Sequence, residues 1–345
     1  MKLPIPESLR RRTWVKTLYH VLDDWRQGRR FSRGKRSTTS GTILKGKDVE
    51  ESVGYIETEL RDYLEYGGVD VAELLGKRIL VVGPGDNLGV GVLFVAHGAS
   101  RVVCVDKFEP ERDRPHLSKV YLALRERLEQ ETRDRSNDAF RGDLRGEWEY
   151  EPERLLYLTG IGMEECGERF PPGYFDLTFS RAVFEHLYDP DKAFAAMDRI
   201  LAPGGRIAHK IDLRDHEMFS DGGRHPMTFL TFPGWLWRRM TAQSGKPNRR
   251  MYPYYARKMR ELGYDGTLYI THIFGREGDL VPHPPALRRG SDYDESHLRL
   301  VGEIRGRLDR EFSGYSDEEL LVSGVFLSAR KSTPPADTTS SKSLS

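Results

Sequence analysis

Within five residues the sequence places Asp212, Arg214, Asp215 and His216. A histidine beside a carboxylate is a general-base pair: the acid orients the ring, and the ring takes a proton near neutral pH. Arg214 adds a planar donor suited to an anionic or hydroxyl-rich ligand. The competing reading is that Asp212 and Asp215 cap a following helix while His216 lies on its surface. His186, directly after Glu185, offers the same chemistry, and also the plainer role of a helix-start hydrogen bond. No set of His, Cys, Asp and Glu has a metal-ligand spacing, so no metal is expected. The two cysteines, Cys104 and Cys166, lie far apart and read as ordinary core residues.

A second group is made of glycines. The run Ile79-Leu-Val-Val-Gly83-Pro84-Gly85-Asp86-Asn87-Leu88-Gly89 is a strand entering a glycine loop. Gly83 and Gly85 permit a sharp turn and a close approach of backbone to ligand. The helix that follows turns free N–H groups toward negative charge. Asp106 closes the next apolar run, where a carboxylate can accept from both hydroxyls of a ribose. The spacing G-x-G-x-x-x-G differs from the dinucleotide fingerprint G-x-G-x-x-G.

Both groups need elements to hold them. Short apolar runs at Arg78–Val82, Arg101–Val105, Arg154–Leu158, Phe175–Phe179, Arg206–Leu213, Thr267–Phe274 and Leu321–Ala329 read as seven strands. Helical patterns at Val90–Ala96, 115–131 and Asp191–Ile200 fall between the first five. Strand and helix alternating in this way predict a doubly wound, largely parallel α/β sheet. Ligands of such sheets sit outside the carboxyl ends of the strands, where Gly83, Asp106 and Asp212 all fall. Two further helices are expected ahead of the first strand, over 8–27 and 48–66. Trp14, Leu18, Val21, Leu22 and Trp25 share one face of the former. Insertions at 214–262 and 278–318 exceed ordinary connections and are expected to shape a ligand site or lid.

The run Phe175-Asp-Leu-Thr-Phe-Ser180-Arg181-Ala182-Val-Phe-Glu185-His186-Leu187, followed by Leu201-Ala-Pro-Gly204-Gly205-Arg-Ile207, resembles class I S-adenosylmethionine-dependent methyltransferases. The run His209-Lys-Ile-Asp212-Leu-Arg214-Asp215-His216 is similar to that of a bacterial branch of these proteins. The resemblance implies a Rossmann-like seven-stranded sheet whose last strand runs antiparallel between strands five and six. It implies S-adenosylmethionine as cofactor. Gly83, Pro84, Gly85 and Asn87 would line its amino-acid part, and Asp106 would hold the ribose. Lys107 and Phe108 would stand beside the adenine, with the loop Gly160, Ile161, Gly162 and Met163. Ser180, Arg181 and Ala182 would pass under the methionine portion. Val81 and Ile161 stand where many relatives carry an acid. The expected reaction is O-methylation of a small polar acceptor, sugar-like, phosphate-bearing or lipid-linked. His216, Asp212, Asp215 and His186 are the catalytic candidates, and Arg214, Arg224 and His225 the acceptor-binding ones.

Charge leaves other readings open. Residues 1–47 hold thirteen Lys/Arg against three acids, a net +10; with +1 for the whole chain, the remainder carries −9. A basic arm on an acidic body suggests an anionic partner, or an arm folded onto that body. Methylation of RNA is therefore the alternative function, and an NAD-dependent oxidoreductase the remote one. Peripheral contact with an anionic membrane through residues 8–27 is a further expectation. The expected organisation is a basic helical arm and cap over 1–76, a methyltransferase domain over 77–331 and a disordered tail over 332–345. Met1–Glu7 lacks the apolar run of a secretory signal, and a cytoplasmic location is expected. The sequence leaves the oligomeric state open.

Overall fold

A computed structural model describes residues 12–38 and 41–333. The seven sheet strands are β1 (Arg78–Val82), β2 (Arg101–Asp106), β3 (Leu155–Thr159), β4 (Phe175–Arg181), β5 (Leu201–Asp212), β6 (Asp265–Ile273) and β7 (Val322–Arg330). Their order across the sheet is β6-β7-β5-β4-β1-β2-β3. β1 to β5 pair in parallel, and β7 lies antiparallel between β5 and β6, as expected. The strand order reverses between β1 and β4, the place where doubly wound sheets open a crevice for ligand.

The sheet is buried on both faces, which is why its strands read as near-continuous apolar runs. Side chains alternate between two core layers. Leu80, Val82, Val103 and Val105 face one layer, with Phe184, Phe194, Met197 and Ile211. Ile79, Val81, Val102 and Cys104 face the other, with Val53, Ile56, Tyr63 and Phe94. Cys104 and Cys166 are both buried free thiols.

Eleven helices are described: α1 (Thr13–Ser32), α2 (Val49–Glu65), α3 (Gly89–Ala96), α4 (Arg114–Glu126), α5 (Gln130–Ser136), α6 (Met163–Arg169), α7 (Pro190–Ile200), α8 (Gly234–Thr241), α9 (Tyr252–Glu261), α10 (Glu295–Arg305) and α11 (Asp317–Leu321). α2 starts on a reciprocal cap, Asp48 with Glu51. α3 is apolar all round and wholly buried. A Cβ on its Gly91 would stand 2.8 Å from Leu155 Cδ1, so glycine lets α3 lie close to β3.

Several elements differ from the sequence reading. α1 begins at Thr13 and runs on to Ser32; the first residues of the expected 8–27 helix lie outside those described. It meets the body through His20 and Asp24, whereas Trp14, Leu18, Leu22 and Trp25 are exposed. The single helix expected over 115–131 is two, α4 and α5, and the hairpin Phe140–Gly142 with Trp148–Tyr150 follows it. Within the second insertion the chain forms α10, which ends at Arg305. From residue 334 on, the tail lies outside the described residues. Among the described residues no helix is long and apolar enough to cross a membrane.

Candidate cofactor cleft and catalytic histidines

β1, β2, β4 and β5 end around one cleft of about 410 Å³, a volume suited to a small ligand. Gly83 and Gly85 turn the chain with φ of +66° and +73°. A Cβ on Gly83 would stand 2.4 Å from Val183 Cγ2, and one on Gly85 would stand 2.5 Å from the Gly41 carbonyl oxygen. The loop is therefore closed to side chains at both positions. Gly41 and Ile43, from the segment ahead of α2, line the cleft with it. Gly41 is fixed there because its carbonyl accepts from Asp86 N–H at 3.0 Å, while the Asp86 carboxylate accepts from Leu44 N–H at 2.9 Å.

Asp106 ends β2 inside the cleft. Its carboxylate accepts from the N–H groups of Gly85 and Phe108, both at 3.3 Å. Burial raises its pKa to about 6, against the opposing pull of these bonds and of Arg112. Lys107, Phe108, Gly162 and Met163 line the same side. Lys107 Nζ is paired with Glu165 at 2.6 Å. Ile161 N–H donates to the Asp106 carbonyl at 3.1 Å, and Arg36 donates to the Gly160 carbonyl at 2.9 Å, so the loop after β3 is tied to β2 and to the arm.

β4 ends at Arg181, which lines the cleft with Ala182 and Val183 that follow it. Ala182 holds φ of +54°, a strained backbone for a residue with a Cβ. Arg181 is anchored on Asp62 of α2 at 2.7 Å. Ser180, expected beside the cofactor, points into the core, where its hydroxyl meets His209 Nδ1 at 2.7 Å. Pro84 and Asn87 are also absent from the lining. Asn87 is buried and caps α3, its side-chain oxygen accepting from Gly89 N–H at 2.9 Å. Gly160 and Ile161 act through backbone bonds instead of lining the cleft. These five expected contacts are therefore not part of the cleft lining.

His186 and His216 line the same cleft as the glycine loop. Their rings meet edge to face, 4.9 Å between centroids. His216 Nε2 lies 3.5 Å from an Asp212 oxygen. Asp212 is clamped by Arg214, which donates from its backbone N–H at 3.0 Å, from Nε at 2.8 Å and from Nη2 at 2.6 Å. Burial works against charge on Asp212, but the bonds from His216 and Arg214 outweigh it and hold its pKa below the usual carboxylate range. For His216, burial is likewise outweighed by Asp212 and Glu185, and the pKa rises above its ordinary value. His186 goes the other way: burial, with the neighbouring His216, lowers it to about 4. Glu185 is buried, and its pKa is raised to about 8. Two adjacent imidazoles thus have affinities for the proton pushed apart by their surroundings. His186 Nδ1 and one Glu185 oxygen are buried without a hydrogen-bond partner. His216 itself sits at φ of +48°, the second strained residue of the cleft. Glu185, His186 and His216 each bring one ligand-capable atom within 4.8 Å of the others.

Three expectations are corrected here. Asp215 is fully buried and accepts from Phe219 N–H at 2.7 Å, shaping the turn after β5 instead of orienting His216. Arg224 is paired with Asp221 at 3.1 Å, and His225 meets the Leu300 carbonyl at 2.7 Å; neither lines the cleft. Of the insertion arginines, Arg249 is buried and bonded to the carbonyls of Phe229 and Phe232. Residues the sequence did not mark also face the cleft: Gly41, Ile43, Glu164, Tyr188 and Gly245. They come from loops distant in sequence and carry no motif.

The geometry fits an S-adenosylmethionine molecule. A cradle closed to Cβ atoms by Gly83 and Gly85 lies next to a buried carboxylate with acceptor capacity to spare at Asp106. The family described as "Methyltransferase domain" matches residues 160–209, which run from the loop after β3 through β4 and α7 into β5. No curated protein matches the chain. Among solved structures, an S-adenosylmethionine dependent methyltransferase from Mesorhizobium loti is 15% identical, with 75% of this chain and 92% of that one covered and a TM-score of 0.37. The [4+2]-cyclase SpnF is also 15% identical, with 80% of each chain covered and a TM-score of 0.38. The YcgJ protein from Bacillus subtilis is 17% identical, covering 47% of this chain and 51% of that one with a TM-score of 0.27. Likeness at this level decides nothing about the reaction; a shared sheet can host different chemistries. The matched segment is similar to the methyltransferase-domain family, and the strand order of the sheet fits a Rossmann-like, class I S-adenosylmethionine-dependent methyltransferase fold.

Proposed function

We propose that this enzyme methylates a hydroxyl group of a small polar acceptor, sugar-like or phosphate-bearing, with His216 as general base and Asp212 as the carboxylate that orients it. The observation that carries this reading is the His216–Asp212 pair at 3.5 Å, in the same cleft as the glycine loop and Asp106. S-adenosylmethionine supplies an activated methyl group, so the protein has to position the nucleophile and remove its proton. An alcohol keeps its proton at neutral pH and needs a base as the new bond forms.

The residues divide the task. Gly83 and Gly85 hold the cofactor cradle open, and Asp106 accepts from the ribose hydroxyls. Arg214 fixes Asp212, which keeps it charged and aimed. Asp212 accepts from His216 Nε2–H, leaving Nδ1 as the atom that takes the acceptor proton. The imidazolium formed is stabilised by Asp212 and neighboured by Glu185. His186 stays neutral through the working range, because burial holds its pKa near 4. The expected acceptor-binding role of Arg214 gives way to this clamp.

The test is methyl transfer from labelled S-adenosylmethionine to a panel of hydroxylated sugars, sugar phosphates, phenols, amines and thiols. An alkali-stable methyl ether, formed equally well after exhaustive chelation of divalent metal, supports the reading. An N- or S-methyl product overturns the acceptor class. Activity lost on chelation and restored by a divalent ion assigns Glu185, His186 and His216 to a metal and removes His216 as base.

A further inference from the structure

α1 is joined to the body along one edge. Its two acids face inward: Asp24 accepts from the N–H groups of Gln243 and Ser244 at 2.8 and 2.9 Å, and Asp23 pairs with Lys246 at 2.8 Å. Lys16 is paired with Asp221, and His20 is buried. Among the described residues the other edge has no such cover. Trp14, Leu18, Leu22 and Trp25 are 61%, 53%, 43% and 51% exposed. At 3.6 residues per turn these four fall within about 80° of arc. Beneath them Val21, Phe232 and Leu236 line a shallow apolar groove between α1 and α8.

The apolar stripe is bordered by cations. Arg12, Arg26, Arg29 and Arg33 are exposed, and the Arg29 guanidinium lies 4.2 Å over the Trp25 ring. Since Asp23 and Asp24 turn to the body, α1 presents no acid on this side.

We propose that this face of α1 docks on an anionic lipid bilayer. The composition selects that occupant. A polyanion such as RNA would neutralise the arginines but leave two tryptophans and two leucines in water, which forfeits their burial. A second copy would cover the apolar stripe, but a two-fold contact sets the same patch against itself and brings arginine against arginine. A bilayer interface accommodates both halves at once: the Trp and Leu side chains enter the headgroup–acyl boundary, and the arginines meet lipid phosphates. The last turn of α1 leads to the cofactor cleft, because Phe31 packs on Phe108 with 5.1 Å between ring centroids. A docked α1 therefore sets the cleft beside the membrane surface. This inference does not depend on the acceptor proposed above.

The experiment is co-sedimentation of the full chain with phosphatidylcholine vesicles, with and without phosphatidylglycerol. Three proteins are compared: the parent, Trp14→Ser/Trp25→Ser, and Arg26→Gln/Arg29→Gln. All four positions are exposed, and S-adenosylmethionine binding by calorimetry confirms that each variant is folded. The parent should bind the vesicles containing phosphatidylglycerol and leave the neutral ones in solution. Each arginine removed should lower partitioning about fivefold, and the double tryptophan variant should lower it by about tenfold or more. Equal sedimentation of parent and both variants overturns the proposal. So does a parental dimer that dissociates in the tryptophan variant, or RNA binding by a parent that ignores both vesicle types.

Discussion

The two sides of the cleft are built by different means. Around the glycine loop the chain uses backbone: Gly83 and Gly85 are there for the side chains they lack, and Asp106 is held by N–H groups of Gly85 and Phe108. Around the two histidines it uses side chains whose protonation depends on packing. His186 and His216 stand with ring centroids 4.9 Å apart, yet burial pushes one down to about 4 while Asp212 and Glu185 hold the other above its ordinary value. A backbone cradle needs only the correct local turn. A pair of imidazoles with separated affinities needs a particular tertiary neighbourhood.

The strongest test of this contrast is a substitution that should damage one side only. His216→Ala should lower turnover about 10²–10⁴-fold, the range for a lost general base, with calorimetric affinity for S-adenosylmethionine near the parental value. Asp212→Asn should fall between parent and His216→Ala, since it removes the orienting charge but leaves the ring. If His216→Ala turns over at the parental rate at all pH values, the base lies elsewhere and His186 is the next candidate.

The converse substitution is Asp106→Ala. It removes charge-assisted bonds of about 1.5–3 kcal/mol each at most, so S-adenosylmethionine affinity should fall about ten- to a hundredfold. Turnover at saturating cofactor should change little. A large fall in saturated turnover would mean that the two sides are coupled through more than the ligand.

Proton titration sharpens the comparison further, because each side has its own range. In the free protein Asp106 is raised to about 6, so its carboxylate loses charge as pH falls through that value, and cofactor affinity should fall with it. Turnover with saturating cofactor should instead rise with pH through a pKa above the ordinary imidazole value, as His216 loses the proton that blocks it. A turnover profile already flat above pH 5 would point to His186, which is neutral throughout that range.

The smallest expected effect concerns the loops that close the cleft. Gly41 and Ile43 from the N-terminal segment and Gly245 from the insertion line it, so S-adenosylmethionine should slow hydrogen exchange around residues 41–44 and 243–246. Slowing confined to the glycine loop would show that both segments are bystanders.

What the sequence determined by itself was local. A short apolar run followed by Gly83 and Gly85 can only be a strand entering a turn that admits no side chain, and an acid ending the next strand falls at the same edge of the sheet. Strand–helix alternation likewise set a largely parallel sheet, and the resemblance carried by the β4–β5 run implied the antiparallel last strand. Tertiary packing decided everything that depended on direction. Asp212 and Asp215 were equivalent partners for His216 until the turn after β5 directed Asp215 to Phe219 N–H and left Asp212 beside the ring. Ser180, inside the matched segment, turned to His209, because alternate residues of a strand face opposite layers. Arg224 and His225 were absorbed by Asp221 and the Leu300 carbonyl, since an insertion must first satisfy its own buried polar groups. The apolar stripe of α1 was legible as a stripe, but helical periodicity fixes only which residues share a face. Which way that face points was decided by Asp23 and Asp24, whose bonds to the insertion turn the stripe to the outside.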